Sequence, residues 1–353
     1  MGSIRTVPAA RALFHPAGVY LNTASAGLPP DTSWEQLQIE LARSRDGTAD
    51  IVGYDTSVES ARGHFARLVG SHPDRVAIGN QASVFFGMVA SSLPDGAEIL
   101  TATGDFASVT FPFWAQHRFT VRAVPLTAIA DEITPSTAAV AVSAVQSADG
   151  AVADLGSIAA ACAATGCLSL IDATQASGWL PLRADDFDIT VTSGYKWLLA
   201  PRGTAFMTVR PTVMDRIVPS AAGWYAAADR WSDIYRSSLR LAAGSRRFDI
   251  SPAWHSWVAA APALELLADI GSRVLHTHAT GLADGFRAAV GLPPGGSAIV
   301  SVQLLPGAAE RVLQAGIVGA VRSGKLRLSF HLNNSADDVT AAAEALCGYL
   351  MID

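Results

Sequence analysis

Lys196 lies in the run Thr192-Ser193-Gly194-Tyr195-Lys196-Trp197-Leu198-Leu199-Ala200-Pro201-Arg202-Gly203, where an apolar strand over Asp188–Thr192 delivers it into a turn of small residues. An amine held there is suited to form a Schiff base with an aldehyde. Upstream, Leu168-Ser169-Leu170-Ile171 reads as a buried strand and ends on Asp172-Ala173-Thr174-Gln175. A carboxylate at that point can keep a heterocyclic nitrogen protonated. Lysine and aspartate so placed are the pair that a pyridoxal phosphate enzyme needs. Singly, such a lysine is usually a solvated surface group and such an aspartate a turn residue; their joint occurrence, with the motifs below, carries the reading.

The elements that must position this pair are legible as alternation. From Arg75 to Val209, β-rich runs at Val76–Gly79, Glu98–Ala102, Thr120–Val124, Ala138–Val145, Leu168–Asp172, Asp188–Thr192 and Thr204–Val209 are separated by helical stretches. This predicts an α/β domain with a mostly parallel sheet, whose ligands gather at the strand carboxyl ends. The segment Pro211–Ser251 is irregular, aromatic and Arg-rich, which suits a surface that meets a partner subunit or covers a site. A long amphipathic helix is expected over Pro252–Leu275. Apolar runs at Ala298–Leu304 and Leu326–Phe330, set among Ala-rich helical stretches, predict a small α+β domain. The expected division is a large domain over 16–262 and a small one over 263–353, with residues 1–15 packing against the latter.

Composition bounds the function. A chain of 353 residues that is 50% hydrophobic can bury a sizeable core. The formal net charge of −6 and the scattered basic residues give a nucleic-acid or anionic-membrane partner no electrostatic support. Small molecules are the expected ligands, no metal ligand is assigned, and no stretch is apolar enough for a secretory signal or a membrane span, so a cytoplasmic protein is expected. Cys162, Cys167 and Cys347 form no C-x-x-C motif and argue against a disulfide framework. All three read as packed residues.

These residues resemble the class V aminotransferase family of fold-type I pyridoxal phosphate enzymes, which includes cysteine desulfurases, kynureninases, isopenicillin N epimerase and hercynylcysteine sulfoxide lyase. The resemblance runs from Tyr20-Leu21-Asn22-Thr23-Ala24-Ser25 to Leu326-Arg327-Leu328-Ser329-Phe330-His331-Leu332-Asn333-Asn334 and is most specific at Tyr195-Lys196-Trp197. It implies a homodimer acting on an amino acid. Gly79-Asn80-Gln81-Ala82-Ser83 joins a strand to a helix, so the N–H groups of Ala82 and Ser83 can cradle a phosphate. Phe106 matches the position of a residue stacked on the cofactor ring, and Gln146 and Gln175 match partners of its phenolic oxygen. Ser193, Tyr195 and Trp224 resemble phosphate donors, and Ser251 the contact that crosses between subunits. Arg327 matches the arginine that grips the substrate carboxylate, while Asn22 and Ser25 fall on an expected pocket wall.

Desulfurases carry a nucleophilic cysteine shortly before that arginine, but Gln314–Gly324 contains none. They also have histidine where Phe106 stands. The resemblance therefore implies a carbon-sulfur β-elimination lyase before a desulfurase, with an aminotransferase or an amino-acid epimerase as alternatives. A decarboxylating or oxidative enzyme, or a non-catalytic protein of this fold, is a further alternative.

Overall fold

A computed structural model describes residues 6–351. Strand β1 (Val19–Tyr20) is followed by β2 (Val76–Gly79), β3 (Glu98–Ala102), β4 (Thr120–Val124), β5 (Thr137–Ser143), β6 (Leu168–Asp172), β7 (Ile189–Ser193) and β8 (Ala205–Val209). The last seven form one sheet in the order β2-β8-β7-β6-β5-β3-β4. Only β8 runs against its neighbours, so the sheet is mostly parallel, as the alternation predicts. Three expected strands shift by a residue or two: the one drawn over Ala138–Val145 is Thr137–Ser143, that over Asp188–Thr192 is Ile189–Ser193, and that over Thr204–Val209 is Ala205–Val209.

Helices cover both faces, which is why the strands read as nearly continuous apolar runs. Val140, Val142, Ile171 and Phe206 face Phe65 and Val58 of the helix Tyr54–Leu68 and Trp257 and Leu264 of the helix Trp254–Ile270. Ala139, Ala141, Leu170, Val191 and Met207 face Phe85, Phe86 and Val89 of the helix Ala82–Ser91. Side chains two apart share a face. Asp172 is in phase with Leu168 and Leu170, and Ser193 with Ile189 and Val191. Both therefore emerge at the carboxyl ends of the interior strands β6 and β7, on the side where the helix Ala82–Ser91 begins.

The C-terminal part adds β9 (Ile299–Leu304), β10 (Ile317–Val318), β11 (Ala320–Arg322), β12 (Lys325–Ser329) and β13 (Leu350–Met351). Four of these make an antiparallel sheet, β11-β12-β9-β13. β1 pairs in parallel with β10, and Asn22 bridges to Ser329. Residues 19–22, drawn by the sequence into the large domain, are thus hydrogen-bonded to C-terminal strands, because β10 offers them an open edge. The helix Val7–Arg11 packs against the helix Ser272–Ala289; residues 1–5, also expected near the small domain, lie outside the described residues.

Two expectations are corrected. The helix drawn over Pro252–Leu275 is two helices, Trp254–Ile270 and Ser272–Ala289, parted at Gly271 with φ 86° and ψ 146°, a conformation that side chains avoid. Cys347, expected in the core, is exposed just past the helix Ala336–Leu346. Cys162 and Cys167 are buried around the helix Leu155–Thr165. Among the described residues no helix is long and apolar enough to cross a membrane.

The irregular segment after β8 is fastened by a buried ion pair. Arg62 donates to the two Asp249 oxygens at 3.2 and 2.8 Å and to the Val76 carbonyl. Asp249 also accepts the Ile78 N–H at 2.9 Å, so the pair clamps residue 249 to the edge strand β2. Asp249→Ala would leave the buried Arg62 charge with only the half-exposed Glu59, 2.9 Å from its Nε, as a carboxylate partner. We expect it to lower stability by about 3–5 kcal/mol, read as a drop in the urea midpoint; an unmoved midpoint would show that the pair holds nothing.

Candidate active site

β6 and β7 end side by side, with Asp172 in register with Val191. Thr174 ties the two ends together: its N–H donates to Asp172 Oδ1 at 2.8 Å and its hydroxyl accepts the Ser193 N–H at 3.0 Å. The chain then turns through Gly194, where a Cβ would lie 2.2 Å from Thr204 Oγ1, and presents Lys196. Against this turn lies the segment 22–28. The Gly27 N–H donates to the Tyr195 carbonyl at 2.9 Å, and a Cβ on Gly27 would sit 2.1 Å from the Lys196 carbonyl oxygen. Only glycine permits that approach.

A cavity of about 270 Å³ opens over these strand ends. Of the expected residues it is lined by Ala82, Phe106, Asp172, Ser193, Tyr195 and Lys196, and it adds Asn80, Ser108, Thr174 and Arg202, which the sequence reading leaves unassigned. Lys196 is only 5% exposed. Burial pushes its amine down to about 8; Asp172 opposes this, while the charges of Arg327, Arg322 and Arg202 reinforce it. Burial also raises the Asp172 carboxyl above its ordinary value, opposed by the Thr174 hydrogen bonds and by Lys196. Phe106 stands at the mouth with its ring centre 5.2 Å from Lys196 Nζ. Arg202 stacks 4.4 Å over the Tyr195 ring.

This donor set fits pyridoxal phosphate. Lys196 can offer a neutral amine to an aldehyde. Asp172, buried and hydrogen-bonded through Thr174 alone, is short of the cation that a protonated ring nitrogen would supply. The helix Ala82–Ser91 starts without a side-chain cap, so its first N–H groups remain for a phosphate. Arg202, which has no carboxylate partner among the described residues, could add its charge there.

Other expected residues lie outside the cavity lining. Ser83 is half-buried in the first turn of the helix Ala82–Ser91. Gln146 donates to Asp105 at 3.3 Å. Gln175 has its amide engaged elsewhere: it donates to the Ala24 carbonyl at 3.0 Å and Ser147 Oγ at 3.2 Å, and accepts the Trp197 indole N–H at 2.7 Å. It braces the lysine turn from behind. Trp224 packs on Tyr225 and Trp231 and lines a separate cavity with Ile234 and Leu239. Ser251 is exposed.

Arg327 is 1% exposed and donates to Ser25 Oγ at 2.7 Å and Ser147 Oγ at 3.2 Å. It has no carboxylate partner among the described residues. Burial and the neighbouring Arg322 bring its guanidinium down to about 10. Asn22 keeps a buried Oδ1 without a partner. Of the residues left unassigned, Thr174 had a signal, since a polar residue two places after a strand-end aspartate forms an Asx turn. The stacking of Arg202 on Tyr195 is tertiary and had none.

The family model for class V aminotransferases matches residues 54–294. The chain belongs to that family. It is a pyridoxal phosphate-dependent enzyme of fold type I. It is 29% identical over 312 residues to the uncharacterized aminotransferase YcbU of Bacillus subtilis, covering 82% of each chain. Isopenicillin N epimerase of Streptomyces clavuligerus is 25% identical over 390 aligned residues, covering 95% of this chain and 96% of the relative. Among solved structures, the cystine C-S lyase C-DES with its product cysteine persulfide superposes with a TM-score of 0.84 at 18% identity, over 94% of this chain and 98% of that one. The cysteine desulfurase CsdA from Escherichia coli gives 0.81 at 19% identity over 97% of both chains. At such identities the structures establish the fold.

The depressed amine sets a pH signature. Only a neutral amine attacks an aldehyde, so capture of pyridoxal phosphate by cofactor-free protein should quicken about tenfold per pH unit below about 8 and level off above it. Stopped-flow absorbance reads this directly. A rate that keeps climbing to about pH 10, the ordinary lysine range, would contradict the site.

Proposed function

We propose that this enzyme eliminates a sulfur group from the β-carbon of an amino acid. The observation that carries this reading is the cavity's lack of a thiol: none of the three cysteines lines it. Cys167 precedes β6 at the end opposite Asp172, Cys162 is buried in a helix, and Cys347 lies past the last helix. A persulfide-forming nucleophile therefore has no candidate, whereas elimination needs only a base and a leaving group.

Pyridoxal phosphate, when bound, supplies an aldehyde for the substrate amine and a ring that accepts the electron pair left at Cα. Arg327 grips the α-carboxylate through two parallel N–H groups and fixes its orientation. Lys196, poised near neutrality of its amine, takes the Cα proton. Asp172 would hold a proton on the ring nitrogen. Ser193, Tyr195, Arg202 and the N–H groups of Ala82 and Ser83 would hold the phosphate, and Phe106 would pack on the ring. The Cα–H electrons become a Cα=Cβ bond, the Cβ–S pair departs with sulfur, and the sulfur takes up a proton. With water the balance is an S-substituted cysteine giving pyruvate, ammonia and a thiol.

Epimerisation is the second reading, favoured by the isopenicillin N epimerase relatives, which align over 95% and 94% of this chain. A two-base epimerase needs a proton donor on the face opposite its lysine. Phe106, whose ring centre lies 5.2 Å from Lys196 Nζ, has no exchangeable proton to serve as that donor.

We also propose a homodimer. Tyr235 is 98% and Leu239 81% exposed, on a segment that is nonetheless braced, Arg240 donating to Asp233 at 2.8 and 3.0 Å. Rigid exposed apolar groups suit burial against a second copy, and Ser251 would serve the site across that contact.

Holoenzyme given cysteine S-conjugates should release pyruvate, ammonia and thiol in equal amounts. Formation of the D-amino acid without pyruvate would transfer the enzyme to the epimerases. Asp172→Asn should retain cofactor yet lose about a hundredfold or more in turnover, and near-normal turnover would refute the role of Asp172. Replacing all three cysteines by Ala should leave turnover per folded holoenzyme intact; loss of sulfur release with a protein persulfide in the wild type would restore the desulfurase reading. Light scattering should give a dimer, and a fully active monomer would end that proposal.

A further inference from the structure

The β11–β12 hairpin carries two arginines to one hydroxyl. Arg322 donates to Ser25 Oγ at 3.3 Å and Arg327 to the same oxygen at 2.7 Å. Neither has a carboxylate partner among the described residues, and the buried Nε of Arg327 has no hydrogen-bond partner. Like charges at such separation repel. A neutral serine cannot offset two guanidinium charges, so the cluster lacks an anion on both sides.

Its place in the fold connects it with the reacting amine. Ser25 lies two residues before Gly27, the glycine pressed against the Lys196 carbonyl. Both arginine charges also help to depress the Lys196 amine. One α-carboxylate on Arg327 meets half of the deficit. Arg322 is exposed and reaches the same Ser25 hydroxyl as Arg327, so it is free to meet an anion on the side chain of an amino acid held there.

We propose that Arg322 binds a second anionic group on the substrate side chain, a carboxylate, sulfinate or sulfonate, and so selects amino acids that carry two acids. This inference rests on the reading of Arg327 as the α-carboxylate site. A planar guanidinium prefers such oxyanions by charge-assisted paired hydrogen bonds. An amide of the same shape lacks the charge and is discriminated against.

The test is calorimetric binding to holoenzyme of two matched pairs, L-glutamate against L-glutamine and L-aspartate against L-asparagine, with L-cysteate added as the sulfonate analogue of L-aspartate. In the wild type the acid of each pair should bind about tenfold tighter than its neutral counterpart. Arg322→Gln should reduce that ratio to about one or two, and Arg322→Lys should restore part of it, since a point charge keeps attraction but loses the fork. A preference confined to L-cysteate would assign the site to sulfonates, and one shared with L-glutamate to carboxylates as well. A wild-type ratio near one, or a ratio unchanged in Arg322→Gln, overturns the inference. Arg327→Ala should weaken acid and neutral ligands together; if it weakens neither, the underlying carboxylate reading fails, a result separate from any change in the Arg322 ratio.

Discussion

Burial of one amine beside one carboxylate, at the carboxyl ends of adjacent parallel strands, is the constraint on which the rest of the structure depends. Each charge alone would be expensive in that interior, and the pair is compensated only in part. Lys196 is drawn toward its neutral form and Asp172 toward its protonated form. A ligand that brings an electrophile to the amine and a cation to the carboxylate relieves both. The site is thus an electrostatic arrangement that such a ligand would complete.

Holding that arrangement requires rigid neighbours, and the chain supplies them from three directions. Gln175 bonds to Trp197, Ala24 and Ser147, so the lysine turn, the N-terminal segment and the loop after β5 share one brace. From the small domain, His331 lies 3.0 Å through Nε2 from the Trp197 carbonyl, its ring edge-on to the indole at 5.2 Å. Burial pushes this imidazole down to about 3, so it stays neutral and the contact does not change across the physiological range. On the far edge, Arg62 and Asp249 fix the irregular segment to β2. Gly27 closes the site by letting the N-terminal segment lie flat on the turn.

The parallel sheet, the neighbouring strand ends that carry Asp172 and lead to Lys196, and the helix start at Ala82 were legible because each is set by local pattern: apolar runs and the turns that end them. Gln175 was legible as a residue that matters but its role was not, since its bonds go to positions 24, 147 and 197. Arg327 was found through its resemblance, yet its company with Arg322 and Ser25 arises from the pairing of β11 with β12 and of residue 22 with residue 329. The two-helix break at Gly271 was missed because amphipathic periodicity continues across it. Cys347 was misread because a small helix-end residue looks apolar whether or not a partner covers it.

The central claim is that Lys196 is the group that holds the cofactor, and the chain makes the test unusually clean, because its only lysines are Lys196 and Lys325. Lys196 is buried in the cavity, whereas Lys325 is exposed on the hairpin. Borohydride reduction of the holoenzyme followed by peptide mapping should place the pyridoxyl group on Lys196 alone. A label on Lys325, or cofactor released unreduced by denaturation, would contradict the account.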